Sequence, residues 1–89
     1  MNLQTLRRSI DRIDAQILRL LNQRMRVARK IGRVKRALGS RRVDRRRERE
    51  ILARLQRANR GPLTTRALRR IYQHIFVQMR AVQRPRKAR

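Results

Sequence analysis

This 89-residue chain has no cysteine and no tryptophan, and it carries one histidine and five Asp or Glu side chains in all. Without cysteine there is no disulfide framework and no thiolate metal site, and a lone histidine cannot assemble a zinc cluster from this chain alone. Aromatic residues are limited to Tyr72 and Phe76, which offers no stacking platform for single-stranded nucleic acid. No apolar run approaches the roughly 20 residues of a membrane span, and the N-terminus lacks the apolar stretch of a signal peptide, so the expected location is cytoplasmic. Strand alternation, internal repeats and a Gly-rich phosphate loop are all missing from the pattern.

What the sequence does have is arginine. Lys and Arg number 28 against 5 acids, a formal net charge of +23, and only Lys30, Lys35 and Lys87 are lysine. Such a charge opposes compaction and attracts anions, so nucleic acid, acidic lipid surfaces and small polyanionic substrates all stay possible on charge alone. Non-specific nucleic-acid binding at low salt is expected from it. Disorder is the other consequence of high charge, but the 39% of residues that are hydrophobic recur at helical spacing. A chain this short builds a thin core and, without staples, calls for well-packed helices or a partner subunit.

From Leu3 to Leu38 there is no Pro and a single Gly, Gly32, while Leu3, Leu6, Ile10, Ile13, Ile17, Leu20, Leu21, Ala28, Ile31 and Leu38 recur at steps of three and four. This predicts one amphipathic helix about 50 Å long, more rod than a domain of this size needs for its own core. Gly39 and Ser40 supply the stop. Asp44 caps a predicted second, short helix bearing Ile51, Leu52, Leu55 and Ala58, which Asn59, Gly61 and Pro62 end. Thr64 caps a third, of medium length, whose stripe of Leu68, Ile71, Tyr72, Ile75, Phe76, Met79 and Val82 runs to about Gln83. Residues 84–89 read as a basic tail.

Several polar residues fall where apolar ones belong. At roughly 100° per residue, Arg8, Arg12, Arg19, Arg26, Lys30 and Arg33 gather on the side of the first helix opposite the apolar stripe. Arg24 and Lys35 project within the apolar arc, and Arg7 and Asp14 sit at its edge. On the second helix Arg47 and Glu48 flank the inward face, and on the third Gln83 lies in line with Tyr72, Phe76 and Met79. Each has an ordinary reading: stems that cover apolar surface while charges reach water, a Glu48–Arg ion pair, a fraying helix end. Two inward cations eleven residues apart, in a chain with so few acids, point instead to a bound anion, because an unpaired buried charge is costly. His74 lies off the stripe and reads as an exposed imidazole.

The run LRRSIDRIDAQILRLLNQRMRVARKIGRVK, then VDRRRERE, then GPLTTRALRRIYQHIFVQMRAVQ resembles the small all-helical chorismate mutases from Leu3 to Gln83. The resemblance implies an all-α fold in which residues 1–83 supply three helices, one long, one short and one medium, to an intertwined homodimer, followed by the 84–89 tail. It implies chorismate as a dianionic substrate, rearranged to prephenate in a unimolecular pericyclic step without metal or cofactor. By resemblance, Arg24 grips one carboxylate and Arg7 reaches the other from the partner subunit, tasks that suit a bidentate guanidinium. Lys35 and Gln83 donate to the ether oxygen, with Lys35 also touching a carboxylate. Glu48, helped by the backbone at Asp44, accepts from the ring hydroxyl, and Arg47 supports the carboxylate network. Arg24, Lys35 and Gln83 are thus the implied catalytic set.

The sequence departs from that pattern at Met79, where many relatives carry a small hydroxyl residue, and at His74, where an acid is common. The resemblance leaves the arginine excess unexplained. It also leaves open the related isochorismate pyruvate lyase and aminodeoxychorismate mutase reactions on the same fold. A basic nucleic-acid-binding helical protein is the reading from a different class.

Overall fold

The computed structural model describes residues 2–40 and 43–84, so the tail read at 84–89 lies outside it beyond Arg84. It contains three helices: α1 (Leu3–Ala37), α2 (Arg45–Ala58) and α3 (Thr65–Gln83). No strand occurs among the described residues.

Each helix begins at a side chain that satisfies an otherwise orphaned backbone N–H. Asn2 accepts from the N–H of Thr5 at 2.8 Å, Asp44 from that of Arg47 at 3.0 Å, and Thr64 from that of Ala67 at 3.1 Å. The Asp44 and Thr64 caps match the sequence reading; Asn2 is an addition to it. Helix α1 stops where expected. Gly39 takes φ +74°, its N–H donates to the carbonyl of Arg36 at 3.0 Å, and the Ser40 N–H donates to that of Lys35 at 2.8 Å. This Schellman arrangement ties off the carbonyls of the last turn and fixes the backbone that carries Lys35.

Helix α3 packs against both α1 and α2, which make no close backbone approach to each other. The core is correspondingly small, with Ala28, Ile51, Leu68 and Phe76 as its buried apolar residues. Tyr72 meets Phe76 edge to face, with ring centroids 5.8 Å apart. The chain forms a slab of 55 × 34 × 15 Å whose long dimension is α1.

Only the C-terminal half of α1 belongs to this core, through buried Ala28 and Gly32. In the N-terminal half Leu3, Leu6, Ile10, Ile13, Ile17, Leu18 and Leu20 are each between 47% and 62% exposed. The rod is therefore as oversized as its apolar pattern implies, and about five of its turns carry an apolar stripe that this chain does not cover.

Gly32 sets how closely α1 and α3 approach. A Cβ placed on it would lie 2.6 Å from the carbonyl oxygen of Gln83 and 2.8 Å from its Cα, closer than side chains tolerate. The glycine thus lets the last turn of α3 rest directly on the backbone of α1.

Candidate active site

Between α1 and α2, with α3 as floor, lies a cleft of about 270 Å³. Helix α1 contributes Ile31 and Lys35, the start of α2 contributes Val43, Asp44, Glu48 and Ile51, and α3 contributes Phe76, Met79, Arg80 and Gln83. Its apolar walls come from the core stripes of three helices, and its polar groups include Lys35, Glu48 and Gln83, which interrupt those stripes. Lys35, Asp44, Glu48 and Gln83, far apart in sequence, converge here because each sits near a helix end bordering the cleft.

Glu48 is mostly shielded. Its side chain is 18% exposed, and Oε2 accepts from Arg80 Nη1 at 2.6 Å. The more exposed Arg45 stands 3.6 Å from its other oxygen. The ordinary reading of Glu48, an ion pair with an inward Arg, is therefore realised, and its partner is Arg80, a residue that periodicity alone did not single out. The signal was available in the spacing, since Arg80 follows the buried Phe76 by one turn on the same face. The pairing does not fill the cleft.

Gln83, the last residue of α3, is half-buried and faces the cleft rather than fraying. Its carbonyl accepts from Arg36 Nη1 across the helix interface. Sequence reasoning also missed Arg36, which lies one residue past Lys35 and outside the apolar arc.

Arg24 is half-buried, as its place in the apolar arc implies, and its guanidinium lies over the ring of Tyr72, 5.8 Å from the centroid. It does not line the cleft. Eleven residues of helix separate it from Lys35, about 16 Å along the axis. Arg7 lies farther off, about 42 Å from Lys35 along α1, exposed beside Gln4, Arg8, Ile10 and Asp11. One chain does not bring Arg7 to its own cleft.

Arg47 departs from the sequence expectation. Its side chain is 53% exposed and its Nη1 lies 3.9 Å from Glu50, so it turns along the outside of α2 instead of flanking the inward face. The reason is local: an i,i+3 carboxylate on the same helix draws the guanidinium outward. His74 is exposed, as read from its position off the stripe. Among the described residues no group of His, Asp and Glu could hold a metal ion, and no helix is long and apolar enough to cross a membrane.

A family model described as chorismate mutase type II matches residues 6–84, which takes in α2, α3, all of α1 beyond its first residues, and every cleft residue. The chain belongs to that family. Two curated relatives are bifunctional chorismate mutase/prephenate dehydratases. That of Neisseria gonorrhoeae is 42% identical over 79 residues, covering 89% of this chain and 21% of the relative. That of Aquifex aeolicus is 41% identical over 78 residues, covering 83% and 22%. The chain spans about a fifth of the length of either. Among solved structures, a form II chorismate mutase from Thermus thermophilus superposes with a TM-score of 0.88 at 37% identity, covering 91% of this chain and 92% of that one. The three-helix chorismate mutase fold that the resemblance implies is the fold observed for the single chain.

The Arg80–Glu48 pair gives a stability prediction within this fold. Arg80→Met leaves a largely shielded carboxylate without its partner and is expected to destabilise the chain by about 1–3 kcal/mol, seen as a lower urea midpoint. Adding Glu48→Gln should recover most of the loss, because the two changes are coupled through one contact. A double variant as unstable as the sum of the singles would show that Arg80 acts elsewhere.

Proposed function

We propose that this chain converts chorismate to prephenate in the cleft between α1 and α2. The observation that carries the reading is the convergence of Lys35, Glu48 and Gln83 on one cavity in a chain whose family is chorismate mutase type II. The reaction breaks a C–O bond and forms a C–C bond within one molecule, so the protein supplies no nucleophile and no proton. It has two tasks: to hold the substrate folded with its reacting carbons in contact, and to stabilise the negative charge that grows on the ether oxygen.

In this reading Lys35 from the α1 wall and the Gln83 side-chain amide from the α3 floor donate to the ether oxygen. Glu48, oriented by Arg80, accepts from the ring hydroxyl, and the backbone at the start of α2, organised by the Asp44 cap, completes that contact. Arg24 swings from Tyr72 along α1 to take one carboxylate. Met79 brings a thioether where a hydroxyl would add a further contact, which leaves the carboxylates to the cations.

Arg7 takes the second carboxylate from another copy of the chain. The uncovered stripe from Leu3 to Leu20 is the surface that a second copy would bury, and about 42 Å of helix separates Arg7 from the cleft of its own chain. An assembly of this kind predicts that the melting temperature rises with protein concentration. A concentration-independent melting point with monomer mass in sedimentation would rule it out.

The deciding assay supplies chorismate, isochorismate and aminodeoxychorismate side by side to purified, folded protein. Prephenate formation from chorismate well above the uncatalysed rate is the expected result. Turnover of another substrate in preference would reassign the reaction on the same site, and no turnover of any of the three would remove the proposal.

A further inference from the structure

We infer that one turn of α1, from Gly32 to Arg36, is a jig that sets the separation between Lys35 and Gln83. Arg36 acts in it as a positioning residue. The inference rests on the reading above, in which those two side chains share the ether oxygen.

Gln83 stands at the least secure place in a helix. It is the last residue of α3, so its carbonyl has no donor within its own helix, and the following Arg84 N–H returns only to Ala81, at 3.4 Å. A side chain on such a turn frays unless something outside the helix holds it. Two contacts from α1 do so. The Gln83 backbone lies on Gly32, where there is no room for a Cβ, and the Gln83 carbonyl accepts from Arg36 Nη1.

Gly32 and Arg36 are four residues apart and therefore on the same face of α1, and Lys35 lies between them on the same turn. The Schellman stop at Gly39 and Ser40 ties down the carbonyls of Lys35 and Arg36 immediately beyond. The spacing between the Lys35 and Gln83 backbones is thus set by one rigid turn and not by the sum of loops that connects the helices in sequence. The cation also meets the negative end of the α3 dipole, which favours the same placement. Arg36 contributes no atom to the lining of the cleft; its effect on the reaction passes through Gln83.

The test compares Arg36→Met, Arg36→Lys, Gln83→Ala and the Arg36→Met/Gln83→Ala double variant, with melting curves to verify folding. Arg36→Met should lower kcat about tenfold with little change in KM, because a small displacement of a preorganised donor acts on the transition state more than on substrate binding. Arg36→Lys, which retains a cationic donor, should restore part of that loss. In the Gln83→Ala background the Arg36 change should cost less than about twofold, since both act through one group. Wild-type kcat in Arg36→Met, or an undiminished tenfold effect without Gln83, would overturn the proposal. Amide hydrogen exchange at Ala81 to Arg84 is independent of turnover: faster exchange in Arg36→Met supports the clamp, and unchanged exchange overturns it even if chorismate is not the substrate.

Discussion

Replacing Lys35 by Ala is expected to lower kcat for chorismate about 10²–10³-fold, the usual cost of removing one donor from a charge-developing oxygen. KM should rise far less, because the carboxylates of the substrate keep their arginines while the ether oxygen loses its cation. The variant should fold normally, since Lys35 is half-buried at the cleft rim and the backbone turn beneath it is held by Gly39 and Ser40. Steady-state prephenate formation, with circular dichroism as control, measures the effect. A kcat within a factor of about three of wild type would withdraw Lys35 from the chemistry, because a loss that small is under 1 kcal/mol of transition-state stabilisation.

Gly32→Ala makes a second large prediction, and its sign is informative. In an ordinary helix interior, replacing glycine by alanine stabilises by up to about 1 kcal/mol. Here the new methyl would sit 2.6, 2.8 and 3.1 Å from backbone atoms of Gln83, none of which can rotate away. Helices α1 and α3 must separate, at a cost of about 1–3 kcal/mol from overpacking, so the net change should be destabilising. Activity should suffer more than stability, with kcat down by about two orders of magnitude, because the shift moves Gln83 away from Lys35. Denaturant titration and turnover on the same preparation separate the two effects. A more stable and fully active variant would show that the contact is slack and that the cleft tolerates movement of its floor.

The helices were legible in the sequence because their signals are local. Apolar steps of three and four residues, the Asp44 and Thr64 caps and the Gly39 stop each act within one or two turns. The predicted end of α1 differs from the observed one by a single residue, Leu38, which serves as its C-cap. The inward placement of Arg24, Lys35, Glu48 and Gln83 was legible for the same reason: an angle around a helix axis follows from residue number alone. What lay beyond that reading depends on neighbours from other helices. Arg80 matters because Glu48 faces it from α2, and Arg36 because the end of α3 arrives beside it. Arg47 shows the opposite limit. Its Cα has the inward angle, but a long side chain can leave that direction for a carboxylate on its own helix, as it does for Glu50.

A body 15 Å through its thinnest dimension keeps bulk water within a side chain's length of every charge it holds. In bulk water two unit charges 4 Å apart attract by about 1 kcal/mol, whereas near a protein surface, at an effective dielectric constant near 20, the same pair is worth about 4. The leverage of Lys35 and Arg24 on a dianion is therefore set less by where they stand than by what keeps solvent away from them. In the proposed assembly, a second copy lying across the open flank would strengthen those cations by excluding water as well as by the guanidinium it brings.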